Sequence, residues 1–130
     1  MYKRQWLGNL YNKIYFGDLI SRYNIRNTVA LKVLIRTIYL HEKYGEDLYY
    51  YNDNVEVDFC LFEQGMAFQV SYSLQDSTTC ERETKALIAY AKRNDCSQLY
   101  IITMDEEEEI HQDGFTIHVM PIWKVLLRGI

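Results

Sequence analysis

The chain has one proline, six glycines and three cysteines in 130 residues. That scarcity of proline and glycine excludes a collagen-like repeat and a low-complexity linker. A composition 48% hydrophobic and 25% charged excludes a disordered tail. Long apolar runs are missing too: the stretch around Tyr100–Thr103 falls far short of the roughly 20 residues that span a bilayer. Met1-Tyr2-Lys3-Arg4 is basic, but Asn9, Asn12 and Lys13 interrupt any signal-peptide apolar core. The expected address is the cytoplasm, with no membrane partner. Cys60, Cys80 and Cys96 are widely spaced and form no Cys-x-x-Cys, which excludes a zinc ribbon or a thioredoxin motif. Reduced thiols fit, with Cys60 packed in a strand. There is no P-loop, no Gly-x-Gly-x-x-Gly and no Gly-x-Ser-x-Gly, so no nucleotide is expected on this chain. His41, His111 and His118 lack metal-ligand spacing and read as surface or structural residues. A net charge of −4 counts mildly against a generic nucleic-acid face.

What is present fits one α/β domain. Residues 6–24 read as a helix on Trp6, Leu7, Leu10, Ile14 and Leu19, with Gly17-Asp18 a candidate break. Thr28 can cap a second helix whose Val29, Leu31, Val33, Leu34, Ile35, Ile38 and Leu40 are apolar almost all round, which predicts burial, and Gly45 stops it. The period then changes. Leu48–Asn52, within a chain of 12 tyrosines, reads as a strand. Val55, Val57, Phe59 and Leu61 alternate with Glu56, Asp58, Cys60 and Phe62, and Met66, Phe68, Val70 and Tyr72 alternate with Ala67, Gln69, Ser71 and Ser73. With turns at Asp53-Asn54 and Glu63-Gln64-Gly65 these make an antiparallel meander. Thr78 and Glu81 have capping-box spacing for a helix running to about Asn94, with Cys80, Thr84, Leu87, Ile88 and Ala91 as its inner stripe and Glu81–Lys85 as an outer ion pair. Gln98–Thr103 suits a strand covered on both faces. Asp105–Glu109 reads as a solvated acidic loop, Asp113-Gly114 as a turn and Phe115–Val119 as the last strand. Pro121 opens a short helix over Trp123–Leu127.

One constellation carries chemistry. Glu56 and Asp58 share a strand face, as do Gln69 and Ser71 on the next strand. If the faces coincide, Glu56, Asp58 and Gln69 offer two carboxylates and a carbonyl oxygen, reasonable ligands for Mg²⁺ in phosphodiester cleavage. The same alternation equally suits the solvent face of a half-exposed hairpin.

The stretch Gly45–Phe59, followed by Gln69-Val70-Ser71-Tyr72-Ser73-Leu74, Glu81-Arg82-Glu83, Leu99-Tyr100-Ile101-Ile102-Thr103 and Pro121-Ile122-Trp123-Lys124, resembles a C-terminal domain of unknown function in predicted prokaryotic AAA-type ATPases. Phe16–Asn27 resembles the segment that follows the ATPase core in the same proteins. The resemblance implies a restriction-endonuclease-like fold of the PD-(D/E)xK type: an αβββαβ core with a small mixed sheet and flanking helices over residues 29–130, after an N-terminal helical arm at 1–28. In active members of that superfamily an Asp on the second strand and a Glu/Asp-x-Lys on the third build the metal site. Asp58 matches the Asp, Gln69 stands where the acid would be, and Ser71 where the lysine would be. Ser71 cannot supply the lysine charge that orients water and stabilises the phosphate. In the family a winged-helix-like stretch separates the two matched regions, whereas here they join near Arg36–Ile38. Met1–Gln5 matches what a common sequencing adaptor encodes from a GTG start and is read as a candidate non-native leader.

Three readings follow. The first is a diverged, non-catalytic nuclease-like module that binds a protein or nucleic acid, without a cofactor. The second is a Mg²⁺-dependent DNA nuclease using Glu56, Asp58 and Gln69, with Lys85 replacing the missing lysine. The third is a truncated remnant without independent function.

Overall fold

The computed structural model describes residues 27–130; the expected helix over 6–24, almost all of the arm at 1–28 and the candidate leader lie outside the described residues. Helix α1 spans Thr28–Ile35, capped by Asn27, whose side-chain oxygen accepts the Ala30 N–H at 2.9 Å. The cap lies one residue before the expected Thr28. The Thr28 hydroxyl is thereby released to accept the Tyr72 N–H at 2.9 Å.

The helical path continues through a π-helical stretch, Arg36–Leu40, and one α-turn, His41–Tyr44. It stops at Gly45 with φ +54°, a conformation that favours glycine. The expectation of a mostly buried helix fails: Val29 and Val33 are 71% and 60% exposed, and the buried positions are Leu31, Ile35 and Leu40. Those three are spaced by four and then five residues. The π stretch supplies the extra residue that turns Leu40 back onto the stripe begun by Leu31 and Ile35.

Strands β1 (Tyr49–Asp53), β2 (Val55–Leu61) and β3 (Met66–Val70) form the expected antiparallel meander. Helix α2 (Ser77–Asn94) crosses over to β4 (Gln98–Thr103), which runs parallel to β3. Strands β5 (Glu108–Gln112) and β6 (Phe115–Pro121) form a hairpin, and β6 is parallel to β4. Helix α3 (Ile122–Arg128) follows. The result is a mixed, open, six-stranded sheet in the order β1-β2-β3-β4-β6-β5.

Two expectations fail locally. The acidic segment is a loop only up to its middle, because Glu108 and Glu109 begin a sixth strand. A two-residue turn closes this hairpin, with Asp113 and Gly114 both at positive φ, as its twist requires. Helix α2 is capped by Asp76, which accepts the Thr78 N–H at 2.9 Å, so the Thr78/Glu81 capping box does not form.

The core has two layers. Leu31, Ile35, Leu40, Phe59, Leu61, Phe68, Ile102, Ile122 and Val125 pack on the face covered by α1 and α3. Val57, Cys60, Ala67, Leu87, Tyr90, Leu99, Ile101 and Ile117 pack on the face covered by α2. Val57 and Phe59 therefore lie on opposite faces, although strict alternation places them together. The β1–β2 register shifts by one between Tyr49↔Cys60 and Tyr51↔Val57, so Asp58 and Phe59 both stand against Tyr50. This bulge reverses the parity of β2 at Asp58. No helix among the described residues is long and apolar enough to cross a membrane.

Candidate functional site

Regular β2–β3 pairing ends at Phe59↔Phe68. Beyond it the strands fork, and side chains replace the ladder. The Gln69 amide oxygen accepts the Asp58 N–H at 2.9 Å, and its Nε2 donates to the Glu56 carbonyl at 2.9 Å. The Asp58 Oδ2 accepts the Val70 N–H at 2.8 Å. These bonds satisfy backbone groups that a fork in a buried sheet would otherwise strand.

The remaining carboxylate oxygen of Asp58, Oδ1, lies 2.8 Å from Lys32 Nζ on α1; the Asp58 side chain is 11% exposed and that of Lys32 is 40%. The bulge aims Asp58 at this helix, and Lys32 follows Thr28 by one helical turn on the same side. Around the fork lies a cleft of about 750 Å³ that reaches the first half of α2, where Arg82, Glu83 and Lys85 line it. The Glu83 carboxyl is held above the usual carboxylate range by burial and by the neighbouring Asp58 charge, against the opposing pull of Arg82 and Lys32. Arg82 Nη2 lies 3.4 Å from Glu83 Oε1. The expected Glu81–Lys85 ion pair is not among those of the described residues; Lys85 turns to the cleft instead.

The predicted site residues are thus partly united. Asp58 and Gln69 meet. Glu56 contributes its backbone carbonyl to Gln69 and lines the cleft. Ser71, buried, donates its hydroxyl to the Ser73 carbonyl at 2.9 Å and its N–H to Ile102. Lys32 and Glu83 escaped the sequence reading, because nothing in their local spacing links them to a strand pair elsewhere in the chain.

These residues do not fit a Mg²⁺ site. Both oxygens of Asp58 are engaged, one by the Lys32 ammonium, and the Gln69 amide is used at both ends between strands. A hard dication needs several free oxygen ligands around one point. Among the described residues no group of three His, Cys, Asp or Glu side chains is placed to hold a metal ion. The arrangement can instead brace a sheet fork and present a polar, charge-balanced cleft.

No protein-family model, no curated protein and no solved structure matches the chain.

Proposed function

We propose that this chain is a diverged, non-catalytic nuclease-like module of a predicted AAA-type ATPase, working by binding a protein or nucleic acid rather than by cutting. The order helix, three antiparallel strands, crossover helix and parallel strand supports a restriction-endonuclease-like core. The observation that carries the non-catalytic reading is the 2.8 Å contact of Lys32 with Asp58, which puts a tethered cation against the one acid that matches the nuclease pattern. A carboxylate so paired must give up its lysine to bind a metal, and the positions that the nuclease pattern assigns to the second acid and the lysine hold Gln69 and Ser71.

The alternative, a Mg²⁺-dependent nuclease, draws support from Lys85, which lines the same cleft as Asp58. It requires Asp58 to leave Lys32.

The test is a Mg²⁺ and Mn²⁺ titration followed by thermal melting, with DNA cleavage assayed on the same samples of wild type, Asp58→Ala and Lys85→Ala. The interaction-module reading expects no metal-induced rise in melting temperature and no cleavage. Metal-dependent cleavage that disappears in Asp58→Ala overturns it, and concurrent loss in Lys85→Ala establishes the alternative.

A further inference from the structure

The two edges of the sheet differ in kind. Strand β5 carries Glu108, Glu109 and His111, all exposed, and charges of this sort keep a second strand away. Strand β1 reads Tyr-Tyr-Tyr-Asn-Asp, without lysine, arginine or proline. Its one charge, Asp53, is already met by Arg93 Nη1 at 3.2 Å. The outer backbone edge of β1 has no neighbouring strand among the described residues. Tyr49, Tyr50 and Phe62 are 52%, 59% and 52% exposed, a cluster of large apolar side chains at one margin.

We propose that β1 is the contact edge of a two-fold symmetric homodimer, pairing antiparallel with β1 of a second copy. Three features select a copy of this chain as the occupant. First, the edge is self-complementary. Centring the pairing on Tyr51 sets Tyr49 opposite the partner's Asp53 and Tyr50 opposite the partner's Asn52. On the α2 side, Tyr49 and Phe62 form an aromatic end with ring centroids 5.5 Å apart, and Asp53 with Arg93 forms an ion-paired end. A two-fold axis brings each aromatic end against the other copy's Asp53–Arg93 ion pair, an apolar ring surface against a neutralised pair, made twice. Second, no like charges are opposed in this register, since Asp53 faces tyrosine. Third, α2 lies mainly over β2, β3 and β4 and reaches β1 through Tyr90 against Tyr51 and Arg93 against Asp53, so among the described residues the outer backbone edge of β1 stays open to a second strand. The product is a continuous twelve-stranded sheet whose ends are the two acidic β5 edges, which stops further growth. This inference is independent of the nuclease-like reading.

Sedimentation equilibrium of the full chain over a range of concentrations tests it. Wild type is expected to move reversibly from 15.6 kDa to twice that mass. The double variant Tyr50→Lys/Asn52→Lys sets lysine against lysine twice across the axis and is expected to weaken the dimer roughly tenfold. Tyr50→Lys/Asn52→Asp turns the same pairs into opposite charges and is expected to restore it. Should the lysine variant unfold, as judged by circular dichroism, Tyr50→Cys/Asn52→Cys reads the same register by disulfide cross-linking between copies. A wild type that stays monomeric at every concentration overturns the proposal. So does a dimer indifferent to both charge variants, or a folded cysteine variant that does not cross-link.

Discussion

At the scale of single residues, Asp58 and Lys32 are unequal partners. Asp58 accepts a backbone N–H inside the fork as well as facing the lysine, whereas Lys32 is 40% exposed and can be replaced by water. Asp58→Ala is therefore expected to cost about 2 kcal/mol, the usual loss for a charged hydrogen bond, and Lys32→Ala about 1 kcal/mol after allowance for solvent screening. Urea denaturation of both variants checks the order. Glu83 gives a pH signature. Burial first, and Asp58 second, raise its folded-state carboxyl above the unfolded value, so in that window the native state holds more protons than the unfolded one. Stability contributed by this group is present in acid and declines as pH rises from the ordinary carboxylate range through the raised folded value. Glu83→Gln is expected to flatten the decline and to be at least as stable as wild type at neutral pH. A denaturation series across pH, in which the two proteins instead kept parallel profiles, would exclude the assignment. Thr84 has a different defect: its buried hydroxyl has no hydrogen-bond partner among the described residues. Thr84→Val keeps the shape and removes the unpaired polar atom, so a gain of about 1 kcal/mol is expected in the same assay.

At the scale of elements, the π stretch is an insertion in structural form. Its extra residue lets Leu31, Ile35 and Leu40 share one buried stripe at spacings that an unbroken α-helix would not allow. Deleting the exposed Thr37 shortens the second spacing to four. That deletion is expected to yield a continuous α-helix with stability changed by no more than about 0.5 kcal/mol. Leu40→Ala, by contrast, empties a fully buried site and is expected to cost about 2–5 kcal/mol. Circular dichroism and thermal melting separate the two outcomes. Secondary structure was largely legible at this scale. The meander, the long crossover helix and β4 follow from periodicity and turn residues. Strand β5 was not, because Glu108 and Glu109 give no apolar alternation and only pairing with β6 makes them a strand. Nor was the choice of Asp76 as helix cap, since Asp, Ser and Thr compete at four successive positions and the chain's approach to the helix decides among them.

At the scale of the whole molecule, the sheet divides the core into two layers and sequesters two of the three thiols. Burial pushes the Cys60 thiol up to about 12, against the opposing pull of Tyr90, and burial also raises Cys96, whose thiol contacts the Gly65 carbonyl at 3.1 Å. A thiol held protonated and out of solvent is a poor nucleophile. Mass spectrometry of the native protein with a small alkylating reagent is expected to show one modification, at the half-buried Cys80. Cys60 and Cys96 should react only at the rate of unfolding. Early labelling of Cys60 would mean that the two layers open independently.

What the sequence by itself determined is the inventory: a mixed α/β fold, an antiparallel meander, a crossover helix, and an acid at Asp58 with a polar partner at Gln69. Those follow from period, turn chemistry and residue type, all of which are local. Only the tertiary structure decided what the site is. A bulge opposite Tyr50 reverses the parity of β2, a fork between β2 and β3 draws Asp58 and Gln69 into the sheet's own hydrogen bonding, and α1 delivers Lys32 to the last free carboxylate oxygen. Each of these joins residues distant along the chain through packing and backbone pairing, and no local pattern encodes a partner that arrives from another element.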